Sequence, residues 1–465
     1  MSDLLKLFSG VVGEERLLVE EALPEELSHD EALGVTPVHP DAVVFPIATE
    51  EVSEILRLAQ RHRIPIVARG SGTGLAGAAV PVPGSLLVSF ARMNEIIEVD
   101  SENHVAVVQP GVTLGQLDQQ LLAAGLVYPV FPGENSATIG GNIATNAGGM
   151  RAVKYGVTRH QVLGLEVALP GGEVIRTGGK FVKSSAGYDL TQLIVGSEGT
   201  LGLVTEATLR IYPRFTLSAT LLVPFETLQA ITSTVPRILE GGFGPRVLEY
   251  LDSRTLAAIS SDVELQLGVP EDVRARARAY LVVVLESSHQ DRLDADTANL
   301  ASLLEQLGAI DVYVLPSTSA AELIAARERA FFVAKAAGAN ELIDVVVPRA
   351  EMHAYLLEVE EVAQRFGSYV GVCGHVGDGN VHLSVFQGDP RRCQETVGSI
   401  LKLGLSHGGA ISGEHGIGTA KRHWFERLED PTKIALLRRI KSAFDPEGIL
   451  GPGKIFDGAG AAPSD

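Results

Sequence analysis

Three stretches of this 465-residue chain carry too few large side chains to build a core of their own. They are Arg69-Gly70-Ser71-Gly72-Thr73-Gly74-Leu75-Ala76-Gly77, the span Pro132 to Gly149, and Gly196 to Val204. Where side chains are missing, backbone N–H groups stand unshielded and a flat, polar ligand can approach them closely. The first stretch leaves an apolar run, Ile64 to Ala68, that reads as a short buried strand. A glycine loop leaving a strand suits a phosphate, although a plain glycine-rich turn would have the same text. G-x-G-x-x-G spacing runs from Gly72 to Gly77 but is weak alone. Its acidic ribose partner would stand about twenty residues on, where Glu95 and Glu98 are available without a clear strand end.

A chain of this length exceeds one ordinary core, so two domains sharing a cleft are expected. Residues 1–40 read as an acidic, helical N-terminal arm. Residues 41–214 form a first α+β domain, opening with a strand, a helix from Thr49 with the stripe Ile55, Leu56, Leu58 and Ala59, and the Ile64 to Ala68 strand. Residues 215–410 alternate helix-like runs with strand-like ones such as YLVVVLES, ELIDVVVP and YVGVCGH, which suggests a sheet covered by helices. One helix is expected across AAELIAARERAFFVAKAAG. Residues 411–457 return to glycine motifs and pack back on the first domain, and 458–465 are a disordered tail. A net charge of −19 argues against a nucleic-acid surface. Two cysteines, Cys373 and Cys393, make no disulfide framework and fit the reducing cytoplasm. No apolar run approaches the ~20 residues of a membrane span, which leaves peripheral contact with a membrane face open.

A second kind of motif lies further on. Gly374-His375-Val376-Gly377-Asp378-Gly379-Asn380-Val381-His382 sits between two strand-like runs, with GDGN as the turn of a hairpin. About thirty residues later comes Ser412-Gly413-Glu414-His415-Gly416-Ile417-Gly418. A lone histidine most often hydrogen-bonds within the core. Three histidines and a glutamate in two glycine-rich loops instead suggest a divalent-metal set with positions left open for substrate. The Cys373 thiol is a weak rival, since thiolate ligands usually come in clusters. His407 and His423 lack such settings and read as surface residues.

The three glycine segments, in this order, resemble the FAD-binding domain of the vanillyl-alcohol oxidase flavoprotein superfamily. From about residue 40 to 456 the resemblance narrows to its FAD-linked 2-hydroxy-acid dehydrogenases, the branch of glycolate oxidase catalytic subunits, D-lactate dehydrogenases and D-2-hydroxyglutarate dehydrogenases. It implies an α+β fold, a two-part FAD-binding domain with a ferredoxin-like α+β cap. The loop 70–74, with Arg69, would cradle the FAD pyrophosphate. Pro132, Gly133, Ala137, Thr138, Gly140, Gly141, Ala144, Asn146 and Gly149, with Glu198, Gly199, Gly202 and Val204, would contact the rest of the cofactor. Covalent members carry a histidine where this chain has Thr73, so dissociable FAD is expected. The resemblance further implies Zn²⁺, Mn²⁺ or a similar ion on His375, His382 and Glu414, with His415 as general base.

An anionic substrate needs a cation, and arginine offers bidentate geometry. Arg327 and Arg329 stand in RERAFF, and Arg327 matches the pattern of the glycolate-type sequences. The hydroxyglutarate branch has a lysine aligned with Leu342 and an asparagine aligned with Ser384. That lysine helps bind a second carboxylate, so its absence favours short monocarboxylates such as glycolate or lactate. Lys421 and Lys454 are further cations that nothing ties to substrate. The resulting expectation is oxidation of a small 2-hydroxy acid to a 2-oxo acid, with electrons passing to a protein or quinone acceptor, and with partner subunits an open question. Rival readings are an oxidase using O₂ directly, a non-catalytic flavin-binding subunit of a larger complex, and a nicotinamide-linked enzyme. Reoxidation in air, the intact histidine set and a yellow flavin spectrum respectively separate them.

Overall fold

The structure, a computed structural model, describes residues 2–19, 22–263 and 265–456. The tail expected over 458–465 lies outside the described residues.

The first half holds two main sheets and a two-stranded pairing of Leu126–Val127 with Tyr212–Pro213. Short apolar strands Leu17–Val19, Ala42–Val44, Leu86–Ser89 and Ile66–Arg69 lie side by side in that order. The last three run parallel, and Leu17–Val19 is antiparallel to its neighbour. Parallel strands need a crossover, and the helix Thr49–His62 lies between Ala42–Val44 and Ile66–Arg69 in the chain. Its stripe Val52, Ile55, Leu56 and Ala59 is buried to the last atom, as three- and four-residue spacing requires. The N-terminal arm departs from expectation. Among the described residues only Ser2–Val12 is α-helical there, while Leu17–Val19 pairs with Ala42–Val44 and Phe8 and Val12 join the core of this sheet. The second sheet is antiparallel, in the order Ile96–Asp100, Val105–Val108, Leu203–Arg210, Val162–Ala168, Val174–Gly178.

The second half is built on seven antiparallel strands. Their order is Tyr313–Leu315, Leu217–Phe225, Ala279–Ser287, Val247–Asp252, Tyr369–His375, Asn380–Phe386, Glu341–Val346. Alternate residues face opposite sides. One face, with Leu221, Val223, Leu281, Val283, Val345 and Leu383, packs against helices Leu228–Glu240, Gln290–Gln306, Met352–Phe366 and Pro390–Ser406. Each fully buried aliphatic side chain there contributes about 1.5–3 kcal/mol. The opposite face is split. At one end Leu222, Leu251, Tyr280 and Val282 pack on the helices Ser253–Asp262, Ser317–Glu328 and Ala330–Ala336. At the other end the same face carries charge and imidazole. The single helix expected over 320–338 is two, with Arg329 (φ −81°, ψ −2°) closing the first and opening the second.

Residues 410–451 tie the halves together. Ala410 and Ser412 bridge to Val346 and Asp344 at the edge of the seven-stranded sheet. Further on, Ile66 N–H donates to Ile449 O at 2.7 Å and Gly451 N–H to Ile66 O at 2.8 Å, so this segment lines the first sheet. Among the described residues no helix is long and apolar enough to cross a membrane.

Candidate active site

The three glycine stretches converge. They wall a cleft of about 1300 Å³ between the two sheets of the first half, and all the residues expected at the cofactor line it except Gly133, Asn146 and Gly149. The glycines are needed for space. A Cβ on Gly70 would sit 2.1 Å from Thr138 Oγ1, and one on Gly140 would sit 2.7 Å from Pro110 Cβ. Arg69 lines the cleft but its guanidinium is engaged, donating to Glu26 O and His29 O at 2.7 Å each. It therefore fastens the loop to the N-terminal segment. Asp30, which sequence reasoning missed, lies in the same wall. Glu95 and Glu98 do not line it, and Glu98 pairs with Lys180 at the surface. Gly133 and Gly149 line a second, adjoining cavity. Gly149 has φ +119°, and a Cβ there would meet Phe131 O at 2.1 Å, so no other residue fits without moving the wall. Asn146 is on neither cavity. It ends the helix Ile139–Thr145 in a left-handed conformation and its Oδ1 accepts from Arg159 N–H, which takes its side chain away from any ligand.

The second cavity, about 1160 Å³, meets the first at Leu75, Pro132, Glu414 and His415, which line both. Its floor is the mixed face of the seven-stranded sheet. In that sheet Cys373 is paired with His382, and His382 with Asp344. His375, two residues from Cys373, shares their face. The register therefore settles what spacing left open: both imidazoles point to one side.

There the donors close up. His375 Nε2 is 3.1 Å from Glu414 Oε1 and 3.1 Å from His382 Nε2, and His382 Nε2 is 3.2 Å from Glu414 Oε1. His375 Nδ1–H donates to Glu249 Oε1 at 2.5 Å, and His382 Nδ1 faces Asp344 Oδ1 at 3.8 Å. With the protons drawn to the Nδ1 side, two imidazole lone pairs and a carboxylate oxygen converge on one point. Such separations are close to those of three ligands about 2.1 Å from a shared ion. The field agrees. Burial opposes charge on His375, yet Glu249 and Glu414 outweigh it and raise the imidazole well above its ordinary value. Burial likewise opposes Glu414, but His375 and His382 hold its carboxyl well below the usual range. The surroundings thus demand positive charge between them, which a divalent cation can supply. The donor set fits the ion that the sequence suggests. Cys373 shares the floor but is not among the converging donors.

Glu249 and Asp344 were not anticipated, and both are fully buried. Glu249 joins two roles, taking His375 on Oε1 and Arg327 Nη2 on Oε2 at 2.8 Å. Asp344 Oδ2 accepts from Ser412 Oγ and from the N–H groups of Gly413, Glu414 and His415, all at 2.9–3.0 Å. It thereby fixes the backbone that carries Glu414 and His415. From the other side, Glu198 accepts from Ile417 N–H and Gly418 N–H at 2.7 Å each.

His415 stacks on His382 with ring centres 5.1 Å apart, its Nδ1 3.8 Å from Asp344 and its Nε2 4.0 Å from Glu414. Burial, outweighing the pull of Asp344, brings its imidazole down to about 4. It is neutral near pH 7 and able to accept a proton. Arg327 lines the second cavity and its Nε has no hydrogen-bonding partner among the described residues. Arg329 lies outside, paired with Asp262 at 2.9 Å. Lys421 and Lys454 are buried struts: Lys421 Nζ donates to Ser412 Oγ, and Lys454 Nζ to Gly77 O and Val80 O. His423 is exposed as expected. His407 is not a free surface residue, because Glu351 and Glu358 clasp it at 2.9 and 3.1 Å against the Tyr355 ring.

Comparison with known proteins follows the same division. Residues 40–178 match the FAD binding domain family, and residues 216–455 match the C-terminal domain of the FAD linked oxidases. An uncharacterized FAD-linked oxidoreductase of Mycobacterium tuberculosis is 51% identical over 98% of this chain and 99% of its own length. Glycolate oxidase subunit GlcD of Bacillus subtilis is 38% identical over 90% of this chain and 89% of its own. D-lactate dehydrogenase of Archaeoglobus fulgidus is 39% identical over 89% and 90%. In fold, p-cresol methylhydroxylase with substrate bound superposes with a TM-score of 0.78 at 20% identity, over 98% of this chain and 97% of that one. With both halves matched in sequence and the whole architecture matched in fold, the chain belongs to the FAD-linked oxidoreductases of the vanillyl-alcohol oxidase superfamily.

Proposed function

We propose that this protein oxidises a 2-hydroxy acid, of the class that includes glycolate and D-lactate, to the 2-oxo acid and hands the electrons to a separate acceptor. The observation that carries this reading is the position of His415. It stands at the seam of the two cavities, with a neutral imidazole, in the cavity that also holds the buried Arg327. FAD in the glycine-walled cleft would supply N5 as hydride acceptor, and a Zn²⁺ or Mn²⁺ ion on His375, His382 and Glu414 would polarise the substrate oxygens.

The chain's own groups do the rest. Arg327 binds the substrate carboxylate, and Glu249 holds that guanidinium and the His375 ring in one orientation. His415 Nε2 takes the hydroxyl proton while the C2–H electron pair leaves as hydride, so carbon is oxidised by two electrons and one proton rests on the imidazole. Asp344, 3.8 Å from Nδ1, stabilises the imidazolium so formed. Dissociable FAD is part of the proposal, since Thr73 offers no covalent attachment. The naming of one relative as a subunit of glycolate oxidase supports partner subunits or an acceptor protein or quinone beside this chain.

The test is anaerobic flavin bleaching by a panel of D- and L-2-hydroxy acids, in wild type and His415→Asn. Loss of general-base action should slow bleaching about 10²- to 10⁴-fold. Near-normal reduction in the variant would remove His415 from the role.

A further inference from the structure

The second cavity is far larger than a glycolate or lactate molecule requires. Its lining runs from the converging donors out to Tyr369 and Arg254, well past the space that two or three carbons occupy. Its polar groups gather at one end, at Arg327, His375, His382, Glu414 and His415. Away from them the lining is mainly apolar, with Phe131, Met150, Ile259, Val333, Leu342 and Phe386 among the walls, and with Thr255, Ser384, Glu328 and, at the far end, Arg254 as its polar members.

The sheet gives this space a direction. His382, Ser384 and Phe386 follow one another on the same face, opposite Cys373, Gly371 and Tyr369. From His382 to Phe386 the floor runs about 13 Å. Leu342, paired with Ser384, stands beside the middle of it. Gly371 keeps the middle low, because even a Cβ there would have only ordinary contacts, 3.6 Å to Thr255 Oγ1 and 3.7 Å to Tyr369 Oη. The helices Ser253–Asp262 and Ala330–Ala336 wall the trough. The far end reaches solvent, where Arg254 is exposed and its guanidinium lies over the 38% exposed Tyr369, 5.2 Å from the ring centre.

We propose that this trough receives the tail of the substrate, and that the preferred substrates are 2-hydroxy acids with an extended, unbranched apolar chain, of the 2-hydroxy fatty acid kind. The proposal rests on the 2-hydroxy-acid reading of the site and narrows it. Glycolate or lactate would fill only the polar end and leave the apolar walls facing water. Each methylene laid along the trough exchanges water for Leu342, Phe386 and the helix side chains, and binding should tighten about fourfold per methylene. Leu342 and Ser384 offer no cation along the floor, and Arg254 stands only at the solvent end, which is consistent with an apolar tail between the two.

The experiment uses the FAD-loaded protein and a homologous series from lactate through 2-hydroxyhexanoate to 2-hydroxydecanoate. The expected result is a kcat/KM for anaerobic bleaching that climbs about fourfold per methylene over the first several carbons. Gly371→Leu, which raises the floor away from the reacting groups, should cancel that gain for 2-hydroxyoctanoate while lactate stays within about twofold of wild type. A kcat/KM that stays flat or falls from lactate to 2-hydroxyoctanoate overturns the proposal. In parallel, acetate and octanoate are titrated as non-reacting ligands against the flavin spectrum. If no 2-hydroxy acid bleaches the flavin, the oxidation reading fails. The trough is then judged by this titration alone, supported by octanoate binding well above acetate and overturned by equal affinity.

Discussion

Asp344→Asn tests the hinge of the site. The wild-type carboxylate is wholly buried and its Oδ2 receives one hydroxyl and three backbone N–H groups, with Lys421 Nζ at 3.7 Å. Burial opposes this charge, but His415, Lys421 and His382 outweigh it and hold the group well below the ordinary carboxylate range. Asparagine keeps the size and can still accept from some of the donors, so the loss is that of the charge. Hydrogen bonds to a charged acceptor contribute about 1.5–3 kcal/mol each, against about 1 for neutral ones. Removing one member of a buried charge pair also leaves the other uncompensated, and the sum expected is about 3–5 kcal/mol. Against a total of about 5–15 kcal/mol that is a large fraction.

The pH dependence has a definite sign. A depressed folded-state value means that the stabilisation is complete above the unfolded value of about 3.9 and fades only as pH falls through the folded one. The deficit of the variant should therefore be constant from about pH 5 to 8 and shrink only in strong acid. Urea denaturation at several pH values measures it, and titration with Zn²⁺ or Mn²⁺ should show affinity down about 10- to 100-fold, as for other carboxylates that orient a ligand histidine. A variant within about 1 kcal/mol of wild type that also retains its metal affinity would refute the assigned role.

Two further outcomes are expected. Arg327→Lys keeps the charge beside Glu249 but loses the planar fork, so kcat/KM for flavin bleaching should fall about tenfold or more, mainly through KM; an unchanged KM would place the substrate carboxylate elsewhere. Glu341 is pushed up to about 7 by burial, against the pull of Lys421, so its contribution is full below the unfolded value of about 4.5 and is lost as pH rises through 7. Glu341→Gln should flatten the fall in stability over that window, which amounts to at most about 3 kcal/mol, and a pH–stability curve parallel to wild type would contradict this.

What was legible in the sequence was whatever depends on the absence of side chains or on their clustering. The glycine stretches announce a cleft because little else can be made of such text, and His375, His382, Glu414 and His415 stand in two short motifs, the first of which forms paired strands where loop was expected. Glu249 and Asp344 escaped because each is a single acid within an apolar strand, in RVLEYLD and ELIDVVV, where a solvent-facing position is the ordinary reading. Their neighbours carried the missing signal. Leu248 and Tyr250 face the helix-covered side, as do Ile343 and Val345, so each acid faces the opposite, roofed side of a sheet with no water-facing surface to offer it. Asn146 shows the converse: amid small residues it looks like cleft wall, and the structure adds that its left-handed backbone and its bond to Arg159 N–H make it a helix terminus.

The segment 412–418 shows why the two halves must act together. It carries Glu414 and His415, yet most of its own residues are too small to anchor it. Asp344, from the seven-stranded sheet, grips residues 412–415, and Glu198, from the flavin side, grips 417 and 418. The two acids are held differently. Asp344 is held below the ordinary carboxylate range by its neighbours His415, Lys421 and His382, whereas burial pushes Glu198 up despite its two amide donors and the nearby Lys421 and Lys454. Glu198 itself sits in the wall of the flavin cleft with φ +52°. A cofactor that orders that wall would therefore order the Glu198 grip, and with it the position of His415 at the seam. The flavin cleft and the end of the second cavity thus share seven residues of backbone, held at both ends by carboxylates.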